Sequence, residues 1–470
     1  MRKSRLQQKK EKVIQLDLFK DLVEPAAYLD GGTGKGRLSG VELLSQLEKQ
    51  RTLTGNLLDY VVDYGNLLKA YQRVLKNGGK GGFDQMEVGV LGQWLQKNLD
   101  ILCIEVLEEQ YQVGPVRKVT MRKPDGGERQ LGIPTVKDRM VQQSIHQTLN
   151  RHYDPLFSES SYGFRRGRNA HQAIEQASHY IKTGKEWVVD IDLEKFFDKV
   201  NHDRLLQRLS KGIGDKRLLR LIKSYLQAGI MTGGLMEQRT AGTPQGSPLS
   251  PLLSNIVLDE LDKELEKRGH SFCRYADDCN IYVKSKKAGE RVMVSMNKFI
   301  EQKLKLKVNR RKSGVRHCSE SKFLGYTLLP GGNVRISDTS IKRLKDKVRE
   351  ITKRNRGVKF EQVIKELNAV IIGWTNYFYL ANRWLSKLRD IDGWIRRKLR
   401  CYRLKQCGRK YTIFKFLMNL GIPEGTSWNI VMYSQGWWAM SLKQAVSKAM
   451  STKWFAHYGL QSIQRRVIRL

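Results

Sequence analysis

The chain is poor in cysteine: six thiols in 470 residues, at positions 103, 273, 279, 318, 401 and 407. None forms a Cys-x-x-Cys pair and no histidine pair accompanies them, so a structural zinc site is not expected and reduced thiols are the simplest state. Uninterrupted apolar runs are also missing; nothing approaches the ~18 residues that a membrane span needs. The basic start, Met1-Arg2-Lys3-Ser4-Arg5 through Lys12, is followed by no apolar core, so it does not read as a secretory signal. Glu11 and Asp17 argue against an acid-poor transit peptide. Acidic residues are scarce relative to basic ones: 47 Asp and Glu against 85 Lys and Arg, a net +38. A folded protein with that surplus is normally matched by a polyanion, and nucleic acid is the default partner, ahead of a ribosomal or membrane-surface role.

The surplus is concentrated toward the end. Residues 336–470 hold 28 Lys and Arg against 8 Asp and Glu, a net +20, and seven of the nine Trp (374, 384, 394, 428, 437, 438, 454). Basic residues interleaved with aromatics suit phosphate contact and base stacking. The competing reading puts most individual Trp in a helical core under a basic solvated face, and it is the one expected here for the Trp themselves, with RNA expected on the surface.

The first ~52 residues are polar and basic, and Gly31-Gly32-Thr33-Gly34-Lys35-Gly36 lacks the spacing of a phosphate loop, so it reads as linker. Helical periodicity runs from Leu57 to Leu102, broken at Asn77-Gly78-Gly79-Lys80-Gly81-Gly82. Residues 115–135 alternate like two strands around Lys123-Pro124-Asp125-Gly126-Gly127, and a helix follows from about Lys137 to Asn150. Helices are predicted over 170–182, 218–226 and 251–267, each closed by a nearby glycine. Trp187 to Asp192 reads as a buried strand, with a helix from about Glu194. After about Ser340 the pattern is helical and basic almost to the end.

Two β-prone flanks, Ser271 to Tyr275 and Asn280 to Val283, meet at Ala276-Asp277-Asp278-Cys279, which predicts a hairpin with both carboxylates at its turn. Alone this is weak, because Asp is a common turn residue. A strand ending in acid some eighty-five positions earlier changes the reading. Two Mg²⁺ ions about 3.5–4 Å apart need carboxylates from separate elements, and Asp190 and Asp192 share a strand face. Periodicity does not choose between them.

Asp192-Leu193-Glu194-Lys195-Phe196-Phe197-Asp198, the Tyr275-Ala276-Asp277-Asp278 turn and Gly242-Thr243-Pro244-Gln245-Gly246-Ser247-Pro248-Leu249-Ser250-Pro251 together resemble reverse transcriptases, most of all the bacterial group II intron reverse transcriptase/maturases. Further matches are Arg129 to Thr135 with Asp138-Arg139, Ser161-Tyr162-Gly163-Phe164-Arg165, Phe323-Leu324-Gly325-Tyr326 and Gly373-Trp374-Thr375-Asn376-Tyr377-Phe378. They stand in the family's order across roughly residues 57–435.

The resemblance implies an α/β right-hand polymerase, with fingers and palm of antiparallel sheet plus helices, followed by an all-helical basic thumb and maturase domain. The expected division is 1–55 as a basic flexible extension, 56–335 as fingers and palm, 336–435 as thumb and maturase domain X, and 436–470 as a basic appendage able to bind DNA. It implies that Asp192, Asp277 and Asp278 are catalytic and, with the Leu193 carbonyl, hold two Mg²⁺ ions, leaving Asp190 a structural role. Lys123 and Arg129 match residues that clamp the triphosphate. Phe197 matches the bulky residue that excludes a ribose 2′-hydroxyl; Gln245 and Lys312 match positions near template or nucleotide. The implied function is an RNA-directed DNA polymerase that binds its structured intron RNA and promotes splicing and retromobility. Its partners would be that RNA, an RNA template with a DNA primer, dNTPs and target DNA, in a bacterial cytoplasm and on the nucleoid when target DNA is bound, without a membrane.

Some features depart from the pattern. Gly82-Phe83-Asp84-Gln85 stands where relatives usually have Gly-Val-Asp-Gly. Many relatives carry an endonuclease with His, Asn and Cys-pair ligands, whereas no His lies between His317 and His457 and no Cys follows Cys407. The expectation is therefore a chain lacking that domain, priming from existing DNA ends. Two other readings stand beside the main one: a splicing factor with a relict polymerase fold, and a domesticated reverse transcriptase of DNA repair or phage defence.

Overall fold

The computed structural model describes residues 55–122, 126–232, 235–237, 242, 246–381 and 384–469. The N-terminal extension, Lys123 and Gln245 lie outside them. The chain divides into two compact units. The first takes the residues up to Ala173, Val189–Val283 and Lys287–Val315; the second takes Ile174–Val188, Lys284–Lys286 and Arg316 onward.

In the first unit, the periodic stretch 57–102 resolves into helices Leu57–Val61, Tyr64–Asn77 and Leu91–Leu107. Tyr64–Asn77 is capped by Asp63, whose carboxylate accepts from the Asn66 amide, and it stops at Gly78 with φ 60°. The glycine-rich segment that follows is anchored by Arg139, which donates to the carbonyls of Gly78 (3.2 Å) and Lys80 (2.7 Å). Gln85, at the position where relatives have glycine, adopts φ 57°, the region glycine enters without a Cβ penalty. Strands β1 (Val116–Arg122) and β2 (Glu128–Ile133) pair antiparallel as expected, with Met121 opposite Arg129. Strands β4 (Ile230–Thr232) and β5 (Leu235–Glu237) extend that sheet in the order β2-β1-β4-β5. Helix Val136–Tyr153 begins at Thr135, whose hydroxyl accepts from the Asp138 amide at 3.1 Å.

Three further helices of this unit are His202–Gly212, Lys216–Gln227 and Ser250–Lys267. Asn201 and Asp215 cap the first two, and Leu205, Leu209, Leu218, Ile222 and Leu226 bury their apolar stripes. Each such side chain contributes about 1.5–3 kcal/mol of burial. The helix expected from Glu194 shrinks to one turn, Phe196–Lys199. The cause is a partner from far along the chain: Leu193 is bridged to Val308, the Glu194 amide donates to the Lys307 carbonyl at 2.8 Å, and Lys195 turns through φ 49°. The chain is thus held extended past the strand before it can coil.

Helix Ala170–Lys182 matches its predicted span, burying Ala170, Ile174, Ala177 and Ile181 and stopping before Gly184 at φ 83°. A second sheet has the order β6-β7-β3-β8, formed by β3 (Trp187–Ile191), β6 (Ser271–Tyr275), β7 (Asp278–Val283) and β8 (Gly314–His317).

The second unit opens with the hairpin β9 (Tyr326–Leu329) and β10 (Asn333–Ile336), then turns helical. Its central helix, Leu385–Gln406, buries Leu388, Ile391, Ile395, Leu399 and Tyr402 at helical spacing. The final helix, Ile463–Arg469, docks by its first turn. Asp392 accepts from the Ser462 hydroxyl (2.6 Å) and from the amides of Ile463 (2.9 Å) and Gln464 (3.1 Å). The expectation that most of the seven late Trp fill the core is corrected: none is buried, and Trp428 and Trp438 are exposed. Several carry cations on their faces instead, Arg397 lying 3.7 Å and Lys398 4.7 Å from the Trp438 ring centre. An indole ring attracts a cation through its quadrupole while both remain wet, so periodicity alone misassigned them to the interior.

Candidate active site

The acidic hairpin forms as its sequence requires. Tyr275 pairs with Asp278 across a two-residue turn, Ala276-Asp277. Only the first turn residue has positive φ (Ala276, 58°), the pattern of a turn whose twist matches antiparallel strands. An alanine there carries a strain of roughly 1–2 kcal/mol, so the surroundings must hold it. They do: a Cβ on Gly163 would lie 2.3 Å from the Ala276 nitrogen, so the backbone at 163 sits directly against the turn.

Strand β3 lies next to β7 in the sheet, which brings Asp190 and Asp192 beside the turn. Asp192 falls just past the end of β3 and is fixed through its backbone. Its amide donates to the Ser313 hydroxyl (2.9 Å) and its carbonyl accepts from the Asn309 amide (2.8 Å). With Asp192 and Glu194 bonded to the segment 307–309, the intervening Leu193 occupies a non-hydrogen-bonded pair, so its own carbonyl points away from that segment.

The acids share one electrostatic field. The Asp278 carboxyl is pushed up to about 7, first by the protein crowded around it and then by Asp277, Asp192 and Asp190 in that order; Lys312 pulls it back. The side chain is nonetheless solvent-exposed, so water screens part of the field of its acidic neighbours. Asp192 weighs more on Asp278 than Asp190 does. Lys312 places its ammonium 3.5 Å from an Asp192 oxygen. Among the described residues no three Asp, Glu, His or Cys side chains already close into a metal cage. Carboxylate oxygens are hard donors that suit a divalent cation, whose shell water and substrate phosphates would have to complete.

The remaining expected residues are placed unevenly. Phe197 keeps 9% of its surface exposed against 2% for Phe196, and the two rings meet edge to face at 5.3 Å. Both rings are buried, Phe196 the more completely. The Arg129 backbone lies in β2, while Lys123 and Gln245 fall outside the described residues. In the loop after Gln245, Gly246 turns through φ 112°, and a Cβ there would lie 2.9 Å from the Gly132 carbonyl oxygen. Asp138, in the matched Asp-Arg pair, is buried and structural. It accepts from the Thr135 hydroxyl (2.6 Å), the Tyr111 hydroxyl (2.9 Å) and the Gly114 amide (3.2 Å), and burial raises its carboxyl against those bonds.

Sequence reasoning missed the groups behind the turn. Arg274 and Asp262 form an ion pair with no solvent exposure on either side chain, and Asn255 joins Arg274 to Gly163. The available signal was a lone arginine in an otherwise apolar strand.

Comparison with known proteins agrees with this geometry. Residues 121–328 match the family model for reverse transcriptase (RNA-dependent DNA polymerase), and residues 341–419 match the group II intron, maturase-specific domain. Protein YkfC of Escherichia coli strain K12 is 33% identical over 287 residues, covering 53% of this chain and 75% of that one. Group II intron-encoded protein LtrA of Lactococcus lactis subsp. cremoris is 29% identical over 328 residues, covering 55% of this chain and 54% of that one. The chain therefore spans only about half the length of the Lactococcus relative. A solved structure, the partial Cas6-RT-Cas1--Cas2 complex, is 27% identical over 53% of this chain and 43% of its own, at a TM-score of 0.35, too low to bear on the fold. The acidic turn, the strand beside it and the helical region that follows together place the chain in the family of group II intron-encoded reverse transcriptases with a maturase-specific domain, enzymes of the RNA-directed DNA polymerase class that work with divalent metal ions.

Proposed function

We propose that this protein copies RNA into DNA at a site built from Asp192, Asp277 and Asp278, and that it also binds the group II intron RNA encoding it, promoting splicing and retromobility. The observation that carries the reading is the shared field at Asp278, in which carboxylates from the β6–β7 turn and the end of β3 act on one another. Those three side chains and the Leu193 carbonyl would hold two Mg²⁺ ions. Bound there, the ions would supply a lowered pKa for the primer 3′-hydroxyl and charge neutralisation for the triphosphate and leaving pyrophosphate.

The chain's own residues do the positioning. Lys123 and Arg129, by their match to the family's clamping positions, would hold the incoming triphosphate, an arginine as a planar fork and a lysine as a point charge. Phe197, buried beside Phe196, would lie under the sugar where a 2′-hydroxyl would sit and so select deoxynucleotides. Gln245, by its match to the family's motif, would contact the nucleotide or template. Lys312 holds the Asp192 carboxylate by charge until substrate arrives, then faces the phosphates. The reaction needs no covalent intermediate, so rate comes from alignment and from charge in place before the phosphoryl group moves.

We infer a division of labour along the chain: fingers and palm over 56–335, thumb and maturase domain X over 336–435, and a basic segment over 436–470 that contacts nucleic acid. The net +20 and the surface indoles of residues 336–470 support phosphate and base contact there. RNA helices hide their base edges, so recognition of the intron rests on shape and backbone. Target DNA is the second nucleic-acid partner. Among the described residues no helix is long and apolar enough to cross a membrane; we place the protein in the bacterial cytoplasm, with the nucleoid as its site on target DNA.

The test is primer extension on an RNA template with Mg²⁺ and dNTPs, run beside splicing of the intron flanking the coding sequence. Both activities are expected. RNA binding and splicing without any extension would leave a splicing factor with a relict polymerase fold. Extension with no effect on any flanking intron RNA would favour a domesticated enzyme.

A further inference from the structure

Arg274 is among the largest side chains buried without solvent access, and it stands in β6 one residue before Tyr275. All five of its N–H groups are used. Nε donates to both oxygens of Asp262 (2.7 and 3.0 Å). One terminal nitrogen donates to Asp262 (2.6 Å) and the Ser161 hydroxyl (2.7 Å), the other to the Asn255 amide oxygen (3.0 Å) and the Ala276 carbonyl (2.9 Å). Asn255 passes the contact on, its amide donating to the Gly163 carbonyl at 2.9 Å. Around this knot the backbones are joined as well: the Arg274 amide donates to the Ser160 carbonyl and the Tyr162 amide to the Arg274 carbonyl, both at 2.9 Å.

A buried ion pair is a poor source of stability, since apolar residues of similar volume often do as well. Apolar residues do not, however, grip a backbone carbonyl. The Ala276 carbonyl and the Asp277 amide belong to one planar peptide unit, so holding the oxygen sets the plane from which the Asp277 side chain departs. Ala276 is also the strained residue of the turn, and the segment 161–163, tied to the same guanidinium, packs against it.

We propose that Arg274 is a positioning residue for polymerisation: with Asp262, Asn255 and Ser161 it fixes the left-handed Ala276 and so aims Asp277 and Asp278 at the metal-binding site. This rests on the reading of those two aspartates as catalytic. Arg274→Lys keeps the charge but loses the fork, and one ammonium does not reach the same set of acceptors. It is expected to lower the turnover number about 10- to 100-fold and raise the Mg²⁺ concentration for half-maximal activity by about tenfold, with KM for dNTP little changed. In the metal-free protein, backbone amides of residues 276–279 should exchange hydrogen faster than in wild type, while those of helix Leu385–Gln406 do not change. Arg274→Met with Asp262→Leu, which removes both buried charges, should fold and show the same loosened turn. Ser161→Ala and Asn255→Ala each remove one anchor and should shift turnover, Mg²⁺ midpoint and exchange in the same direction by less; they decide the matter where Arg274→Lys does not fold. Wild-type turnover, Mg²⁺ midpoint and exchange in the folded variants, with Asp277→Asn inactive, overturns the positioning role. An active Asp277→Asn overturns the underlying reading of the site instead.

Discussion

Asp278 shows at the scale of one residue how a carboxylate set among other acids costs the fold stability. Its carboxyl titrates near 7 in the folded chain against ~3.9 for an unperturbed aspartate. Between those values the folded state holds a proton that the unfolded state has released, so stability falls as pH rises through that window. Asp278→Asn removes the cost. In chelator, its melting temperature should match wild type near pH ~4 and exceed it increasingly up to about pH 7, then level off. Parallel thermal melts across that range check this, and a constant offset would contradict it. Divalent cations favour the ionised form, so in wild type they should shift the transition to lower pH. Asp277 carries the complementary prediction. Losing a carboxylate at such a site removes several kcal/mol of charge stabilisation, so Asp277→Ala should cut primer extension by about a thousandfold or more while RNA binding persists. Quantitative extension and filter-binding assays on the same preparation separate the two.

At the scale of elements, the hairpin depends on a neighbour that the sequence places over a hundred positions away. Gly163 leaves no room for a side chain against Ala276, so Gly163→Ala must displace the turn or the 161–163 segment, at about 1–3 kcal/mol. Lowered thermal stability together with lost extension is expected; loss of stability alone would show that the turn tolerates the shift. The docking of the last helix gives a second case. Asp392 caps Ile463–Arg469 from another helix, so Asp392→Ala should cost about 1–2 kcal/mol and free the amides of 463–469 to exchange. Hydrogen exchange resolved to that segment reads it directly. The single turn Phe196–Lys199 belongs at this scale too. Its apolar residues advertise a longer helix, but the pairing of 193–194 with 307–308 keeps the backbone extended there, and the chain coils only over Phe196–Lys199. Local pattern does not report a partner that arrives from elsewhere in the chain.

At the scale of the whole molecule, charge is the dominant fact. With +38 overall, binding to RNA should release many counterions, and affinity should fall roughly a thousandfold or more between about 50 and 200 mM salt. A titration of Kd against salt concentration checks this; a slope near zero would leave the basic surplus without a nucleic-acid role. The exposed indole of Trp438, with Arg397 and Lys398 on its face, should contribute to stacking with single-stranded bases, at ~1–3 kcal/mol per stacked base.

Much of this protein was legible before any coordinate. Helix Ala170–Lys182, the β6–β7 hairpin and the basic helical end follow from apolar spacing, turn chemistry and charge, all of which act over a few neighbours and so leave a local mark. The three aspartates were legible as a motif, because acids flanked by apolar strands serve no core. Tertiary structure alone decided what surrounds them: that β3 lies beside β7, that Asp192 weighs more on Asp278 than Asp190 does, that Asn255 ties two segments, and that the late Trp lie outside the core. Those outcomes depend on which distant groups share a low-dielectric neighbourhood, and the strength of a charge interaction or a buried hydrogen bond is set by distance in space, which order along a chain does not encode.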